Sequence, residues 1–227
     1  MEVLQRDDLK RGGFAGLRET RLVMDRRVYG SRAEAGSWDG IGNFVYLADA
    51  RFLPKGETRM HSHKEIDVIS VMVEGRIAHE GSLEHGQEMG NHDVQAQRAG
   101  GEGFSHNEIN PNDTENRMIQ LWVLPERAGE PAGYKLYSPK EGGMTRVYGG
   151  STDQDETLDS QTLIDIGLLA VGNSVRIEGP FLAYVTRGSG RLNDETVGDG
   201  DLVRGENLEF NAVEPTQLIV VHTDQPN

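Results

Sequence analysis

The sequence contains no cysteine among its 227 residues. That absence excludes disulfide bonds, thiolate metal sites, cysteine-held iron–sulfur clusters and a cysteine nucleophile. Any metal must therefore bind chiefly through nitrogen and oxygen atoms. The chain also has no basic N-terminal stretch followed by an apolar core, and no run of about 18 apolar residues. We therefore expect a soluble, cytoplasmic protein that does not bind membranes.

Positive charge is scarce as well. Lys plus Arg number 23 against 37 Asp plus Glu, which gives a formal net charge of −14 at pH 7. Such a surface repels phosphate backbones, so direct binding of nucleic acid is not expected. Glycine is frequent, with 29 residues, and together with proline it separates short runs rich in Val, Ile, Leu and Tyr. This pattern is typical of many short strands and turns and predicts an all-β protein.

The candidate strands are spaced as in a barrel or sandwich. They are Asn43 to Ala48, Asp67 to Glu74, Asp93 to Arg98, Met118 to Leu124, Thr162 to Ala170, Phe181 to Thr186, Asp201 to Arg204 and Gln217 to Thr223. Residues 10–20 are basic, glycine-containing and weakly periodic, and we interpret them as an irregular lead-in. A Gly/Pro/acidic stretch between about residues 125 and 160, with one further strand near 145–148, looks like a connection between two β units.

The second half of the chain repeats the first half's alternation of strands and glycine turns. The sequence therefore predicts two similar barrels in tandem. The first comprises residues 1–134 and the second residues 135–227, with the boundary inside the connecting stretch.

Histidines are clustered: six of the seven lie between positions 61 and 106. His61 and His63 are two residues apart, which on a strand places both rings on one face, about 6.5 to 7 Å apart along the chain. His106 and Glu108 repeat this spacing and add a third imidazole and a carboxylate from a second strand. These four residues are the predicted ligands of one divalent transition metal ion.

Three neutral imidazoles and a carboxylate suit several metals. Iron is our first choice, and nickel, cobalt, manganese, copper and zinc are alternatives. A five- or six-coordinate ion would keep positions open for water or substrate, whereas a closed tetrahedral zinc site would be structural. An isolated His-x-His is more often a polar strand end, but the additional His-x-Glu pair favours metal binding here.

Two segments of the chain resemble the signature of the pirin family. Residues 61–75 resemble its first half, which begins His-Pro-His and ends Glu-Gly, and residues 93–108 resemble its second half, which ends His-x-Glu. Gln120 to Pro125 is similar to the strand that closes the first barrel in that family. The chain departs from the signature at Ser62, where proline is usual, and at Asp67, where glutamate is usual, but no ligand is lost.

The resemblance implies a bicupin, which is a tandem of two cupin barrels of the double-stranded β-helix or jelly-roll type. It places the family's metal ligands on the four residues that the spacing selected. It also implies two alternative functions. One is a metal-dependent dioxygenase that cleaves flavonols such as quercetin with dioxygen, and the other is a regulatory module that binds protein partners, as pirin does. A different small-molecule cupin activity, such as isomerisation, is a third alternative.

Under the dioxygenase hypothesis, Glu108 is both a metal ligand and the catalytic base that accepts the flavonol proton. Phe104 and Asn110 share a strand face with Glu108 if the strand is regular, so both are candidate substrate-binding residues, with core or rim packing as the alternative. Arg59 is a third candidate that would meet an anionic substrate, or else lie at a solvated strand end.

The remaining histidines are assigned other roles. His79, His85 and His92 lie among Glu, Gly, Ser and Asn residues, and we interpret them as surface histidines. The second barrel contains only His222, with scattered carboxylates. We therefore expect that barrel to bind no transition metal and to have a structural or lid role.

Overall fold

The chain is built almost entirely of antiparallel strands, which confirms the predicted all-β class. The computed structural model describes residues 1–83 and 85–223. Within that part of the chain, helix is limited to α1 (Arg26–Tyr29) and two 3-10 turns (Arg6–Asp8 and Gly30–Arg32). None of these helices is long and apolar enough to cross a membrane.

The strands of the described chain are numbered here in sequence order. They are β1 (Glu2–Gln5), β2 (Arg11–Phe14), β3 (Leu17–Met24), β4 (Phe44–Phe52), β5 (His61–His63), β6 (Asp67–Glu74), β7 (Ile77–Gly81), β8 (Glu88–Met89), β9 (Val94–Arg98), β10 (Phe104–Ile109), β11 (Arg117–Val123), β12 (Gly133–Tyr137), β13 (Gly143–Gly150), β14 (Ser160–Leu169), β15 (Ser174–Arg187), β16 (Ser189–Leu192), β17 (Glu195–Gly198), β18 (Asp201–Ala212) and β19 (Thr216–Thr223). All eight candidate strands overlap one of these, as does the additional strand near 145–148.

The chain divides into two compact units. The N-terminal unit comprises residues 9–39 and 45–138. It has a seven-stranded sheet in the order β12-β9-β6-β11-β4-β3-β2 and a four-stranded sheet in the order β5-β10-β7-β8. β12 lies in the stretch that the sequence predicts to be a connection. It pairs along its whole length with β9, from Gly133 opposite Arg98 to Tyr137 opposite Val94.

The prediction of an irregular lead-in at residues 10–20 is wrong, because β2 and β3 form a hairpin there. The alternation of apolar and polar residues that marks a strand is not visible in this part of the sequence, because every residue of β2 is exposed and β3 has a bulge between Arg21 and Val23. A Cβ on Gly16, at the turn, would lie 2.5 Å from the Cα of Gly56. The two backbones can approach this closely only because residue 16 is glycine. The hairpin adds an inner-facing strand to the unit.

The second unit comprises residues 1–8, 40–44 and 139–223 of the described chain. Its sheet has the order β13-β14-β19-β15-β18-β16-β17, and β1 pairs with β18, with Leu4 opposite Leu202. Its core is a continuous apolar cluster that includes Phe181, Phe210 and Val220. Apolar burial therefore suffices to hold this unit together.

A buried polar cluster interrupts the apolar interior of the second unit. The Nε atom of Arg146 donates a hydrogen bond to Asp165 Oδ1 at 2.6 Å, and His222 Nε2 lies 2.8 Å from Asp165 Oδ2. Burial raises the pKa of Asp165, but the hydrogen bonds from His222 and Arg146 outweigh it and hold that pKa below its ordinary value. The carboxylate is therefore the stabilised form in the folded protein.

We expect the second unit to lose stability as the pH falls below about 4. Because the pKa of Asp165 is lower in the folded than in the unfolded state, its contribution is complete above the unfolded-state pKa and is lost as the pH falls through the folded-state pKa. Asp165→Asn should lower the unfolding temperature at pH 6, and the difference from the wild type should shrink towards pH 2. Calorimetric scans across this range measure it. The exposed control Asp194→Asn should follow the wild type, and an equal loss at every pH for Asp165→Asn would contradict the argument.

Candidate metal centre

Strand pairing brings three of the four predicted ligands together. β5 and β10 pair antiparallel, with His61 directly opposite His106, and His63 lies on the same face two residues further along. The Nε2 atom of His106 lies 3.0 Å from Nε2 of His61 and 3.2 Å from Nε2 of His63. Among the described residues, these histidines form the one group of potential ligands whose nitrogen or oxygen atoms all lie within 4.8 Å of one another.

Burial keeps the imidazoles of His63 and His106 neutral at pH 7. Burial, and then the charge of His61, lowers the pKa of His63 to about 4. Burial, and then the neighbouring histidines, lowers the pKa of His106 to about 2. The Nδ1 atom of His61 lies 2.8 Å from the carbonyl oxygen of Arg59, which can only accept, so Nδ1 carries the proton and Nε2 presents a lone pair. Neutral rings are the form that binds metal.

The spacing of the three nitrogens fits a shared metal ion. With metal–nitrogen bonds of about 2.0–2.1 Å, two nitrogens would be about 2.9 Å apart at right angles and about 3.4 Å apart in a tetrahedron. The observed separations of 3.0 and 3.2 Å lie between these values. A cation suits this cluster better than any hydrogen-bond arrangement, because one ring nitrogen cannot donate to both of its neighbours at once.

Glu108 lies two residues after His106 on β10 and is almost fully buried. Its Oε1 atom accepts hydrogen bonds from Ser70 Oγ at 2.9 Å and Gln95 Nε2 at 3.1 Å. Burial raises the pKa of Glu108 to about 7, although these hydrogen bonds act in the opposite direction. The carboxyl group is not within 4.8 Å of all three histidine nitrogens, but it lines the same cavity as two of the rings. Its role as fourth ligand stays a prediction.

The structure corrects one interpretation: His79 is fully buried and is not a surface histidine. β7 pairs with β10, with His79 opposite Glu108 and Gly81 opposite His106, and the rings of His79 and His106 lie 5.4 Å apart. A Cβ on Gly81 would lie 3.0 Å from both His106 Cβ and His79 Nε2, so glycine leaves room for these rings. The alternation of Ile77, His79 and Gly81 on a strand could have revealed the inward face. His85 is exposed, as predicted.

A cavity of about 540 Å³ reaches the histidines within the N-terminal unit. This volume is in the range of small-molecule sites. The lining residues come from both sheets of the unit and are mainly apolar or aromatic. They are Phe14, Leu17, Glu19, Arg21, Met24, Tyr29, Arg32, Tyr46, Ala50, Phe52, Thr58, His61, Ser62, His63, Glu108, Met118, Gln120 and Trp122.

Three aromatic rings form one side of this cavity, and we call Tyr29, Tyr46 and Trp122 the aromatic wall. Trp122 stacks on Tyr46 with ring centroids 4.4 Å apart and planes at 27°, and Tyr46 lies 5.9 Å from Tyr29. The edge of the wall meets the metal centre, because the Trp122 ring is 5.6 Å from that of His63. Tyr46 Oη donates to Glu19 Oε2 at 3.2 Å. The wall therefore leads from the histidines into the cavity.

A row of polar side chains crosses the sheet beneath Glu108, and sequence reasoning missed it. Ser70 on β6 lies opposite Gln95 on β9 and opposite Gln120 on β11. Gln95 Nε2 and Gln120 Nε2 lie 3.3 and 3.2 Å from Ser70 Oγ. Ser70 and Gln120 each interrupt a mainly apolar predicted strand, and that is the signal that could have identified them. The row holds Glu108 Oε1 in place.

Phe104 and Asn110 are buried but do not line the cavity. Phe104 belongs to an apolar cluster, and its ring centroid lies 5.2 Å from that of His63 and 5.1 Å from that of His106. This position corresponds to core packing, which was the alternative to substrate binding. The amide nitrogen of Asn110 donates to the carbonyl oxygens of Leu53 at 3.0 Å and Thr114 at 2.7 Å. Its side chain therefore anchors loops and does not face a ligand.

Arg59 is exposed and also lies outside the cavity lining. Its backbone has φ of 65°, a left-handed conformation that is unusual for a side chain other than glycine or asparagine. This conformation accompanies the hydrogen bond from His61 Nδ1 to the Arg59 carbonyl oxygen. The contribution visible in the structure is thus that of the Arg59 backbone, which orients the His61 ring.

Comparison with known proteins relates this arrangement to one family. Residues 31–123 match the family model described as Pirin. A protein of Zymomonas mobilis named "Putative quercetin 2,3-dioxygenase" is 26% identical over 190 residues, which cover 77% of this chain and 80% of that protein. A protein of Pseudomonas aeruginosa with the same descriptive name is 27% identical over 174 residues, which cover 71% and 75%.

A solved structure shows the same fold over nearly the whole chain. Bacterial pirin YhhW from Escherichia coli, in complex with nickel(II), superposes with a TM-score of 0.80 and covers 97% of each chain at 16% sequence identity. This likeness confirms the predicted bicupin fold.

Proposed function

Because residues 31–123 form a Pirin domain in a chain of bicupin fold, we propose that this protein is a metal-dependent dioxygenase of quercetin-like flavonols. The observation that carries the proposal is the convergence of three histidines at the side of an aromatic cavity. The names of the relatives from Zymomonas mobilis and Pseudomonas aeruginosa support the same activity. The fold alone would not, because one fold serves many functions.

His61, His63 and His106 would hold the metal ion, with Glu108 as the fourth ligand. Iron is the first ion to test, and nickel is the second because the bacterial pirin of the same fold binds it. When bound, a divalent ion supplies Lewis-acid stabilisation of a deprotonated flavonol and the redox chemistry of dioxygen. The other contributions come from the protein's own side chains.

Glu108 is placed to take a proton from the substrate. Ser70 and Gln95 hold its Oε1 atom, whereas no described group donates a hydrogen bond to Oε2. Oε2 is therefore the atom that accepts the proton of the flavonol hydroxyl. Two acidic side chains line the cavity, Glu19 and Glu108. Glu19 is paired with Arg21 and Tyr46, whereas Glu108 lies next to the histidines.

The aromatic wall would bind and orient the substrate. Flavonols are planar, and Tyr46 and Trp122 offer stacked faces beside His63. A ligand stacked there would displace water from the cavity and strengthen every charge interaction at the metal centre.

The proposal is tested by measuring oxygen uptake with protein reconstituted separately with iron, nickel, cobalt, manganese, copper and zinc. We expect at least one metal to support equimolar consumption of quercetin and dioxygen, and the metal-free protein to support none. Absence of uptake with every ion would refute the dioxygenase and favour the alternative of a regulatory module with protein partners.

A further inference from the structure

Two buried hydrogen-bond donors in the cavity lining have no partner among the described residues. They are Tyr29 Oη and Trp122 Nε1, at the two ends of the aromatic wall. Buried donors are nearly always satisfied, by protein, water or ligand. A ligand that presents hydrogen-bond acceptors to this part of the cavity would satisfy both donors.

The acidic groups near the wall are already paired. Arg21 donates to Glu19 Oε1 through its Nε at 2.8 Å, and Tyr46 donates to Glu19 Oε2. Arg21 also donates from Nη1 to Glu34 Oε1 at 2.8 Å. A neutral phenol bound at this end of the cavity needs an acceptor for its own hydroxyl, and Glu19 is already occupied by Arg21 and Tyr46.

A cation near the wall is unpaired. Arg32 lines the cavity, its side chain is exposed, and it makes no ion pair in the described part of the chain. Tyr29, whose hydroxyl has no hydrogen-bond partner in the described chain, lines the same cavity as Arg32. In a protein of net charge −14, an unpaired guanidinium at a cavity marks a place where an anion is attracted and not repelled.

We propose that the cavity selects an aromatic acid, whose ring stacks on the aromatic wall and whose carboxylate is bound by Arg32 and Tyr29. A carboxylate accepts hydrogen bonds and does not donate them, so it would satisfy the Tyr29 hydroxyl. Its negative charge would pair with the guanidinium of Arg32. The proposal rests on the proposed function, since the other end of the same ligand would reach the histidines. It adds a second recognition point that neutral flavonols do not use.

The test compares two matched probes by titration calorimetry with the metal-loaded protein: 3-hydroxyflavone carrying a 4′-carboxylate, and the methyl ester of that acid. We expect the acid to bind about tenfold more tightly than the ester, an advantage that added salt reduces. Arg32→Ala should bring the two affinities to within about twofold, and Tyr29→Phe, which removes only the hydroxyl, should reduce the advantage in part. Arg18→Ala is the control, because Arg18 is exposed and does not line the cavity.

The outcomes separate this inference from the proposed function. Equal affinity for acid and ester in the wild type, or an acid preference that survives Arg32→Ala, overturns the carboxylate site even if both probes are consumed with oxygen. A preference that depends on Arg32 without any oxygen uptake supports the site and refutes the dioxygenase. Failure of both probes to bind overturns the inference as well.

Discussion

Replacement of His106 by alanine should reduce metal affinity by more than about 100-fold while the protein stays folded. The Nε2 atom of His106 is the common neighbour of the other two histidine nitrogens, at 3.0 and 3.2 Å. Without His106, only the nitrogens of His61 and His63 would remain to bind the metal ion. The fold should persist because the core of the unit is apolar, with Phe52, Met72 and Ile77 fully buried. Elemental analysis after dialysis, with circular dichroism for folding, measures the effect.

His61→Ala should behave in the same way, and His85→Ala provides the matched control. His85 is an exposed histidine of the same unit outside the cluster, so its replacement should leave one equivalent of metal bound. Near-stoichiometric metal in the His106 and His61 variants would show that the cluster is not the metal site. Equal loss in the His85 variant would point to metal bound at the surface.

Glu108→Gln should lower quercetin-dependent oxygen uptake by about 100-fold or more per bound metal ion, the size of a lost general base. The amide keeps the shape of the carboxyl group and one oxygen that can ligate. It cannot accept the flavonol proton, so the chemical step should suffer beyond any loss of metal. Uptake is measured with an oxygen electrode and divided by the metal content of the same sample.

Glu80→Gln is the control for this measurement, because Glu80 is exposed on β7 and pairs with Asn107 next to the site. It should retain full activity. If the activity of the Glu108 variant simply follows its metal occupancy, Glu108 is a ligand without a role as base, and the proposed proton transfer is wrong.

The histidine cluster could be predicted from sequence because its arrangement is local. Alternation on a strand places His61 and His63 on one face whatever the rest of the chain does. The candidate strands also rest on local patterns, because most of them are apolar runs bounded by glycine or polar turns. β5 and β10 are outside that list, but the spacing of their histidines indicates a strand in each, and the structure pairs the two in one sheet.

The residues that line the cavity could not be predicted in this way, because they depend on long-range pairing. Asn110 has the right spacing from Glu108, but β10 ends at Ile109, and the side chain turns to the backbone of Leu53 and Thr114. The cavity is instead lined by β3, β4 and β11, which the spacing of the histidines does not specify. Glu19 and Arg21 were missed because the hairpin that carries them has an exposed first strand.

The pairing of β1 with β18 has a consequence for how the chain folds during synthesis. Leu4 leaves the ribosome well before its partner Leu202, because the two residues are about 200 positions apart in the chain. At translation rates of about 5–20 residues per second, β1 waits for its partner for on the order of tens of seconds. The N-terminal unit, whose residues lie between 9 and 138, can complete its own sheets in that interval. The order of folding is thus set by the chain itself: the histidine-bearing unit can form first, and the unit that includes residues 1–8 is completed only when β18 has been made.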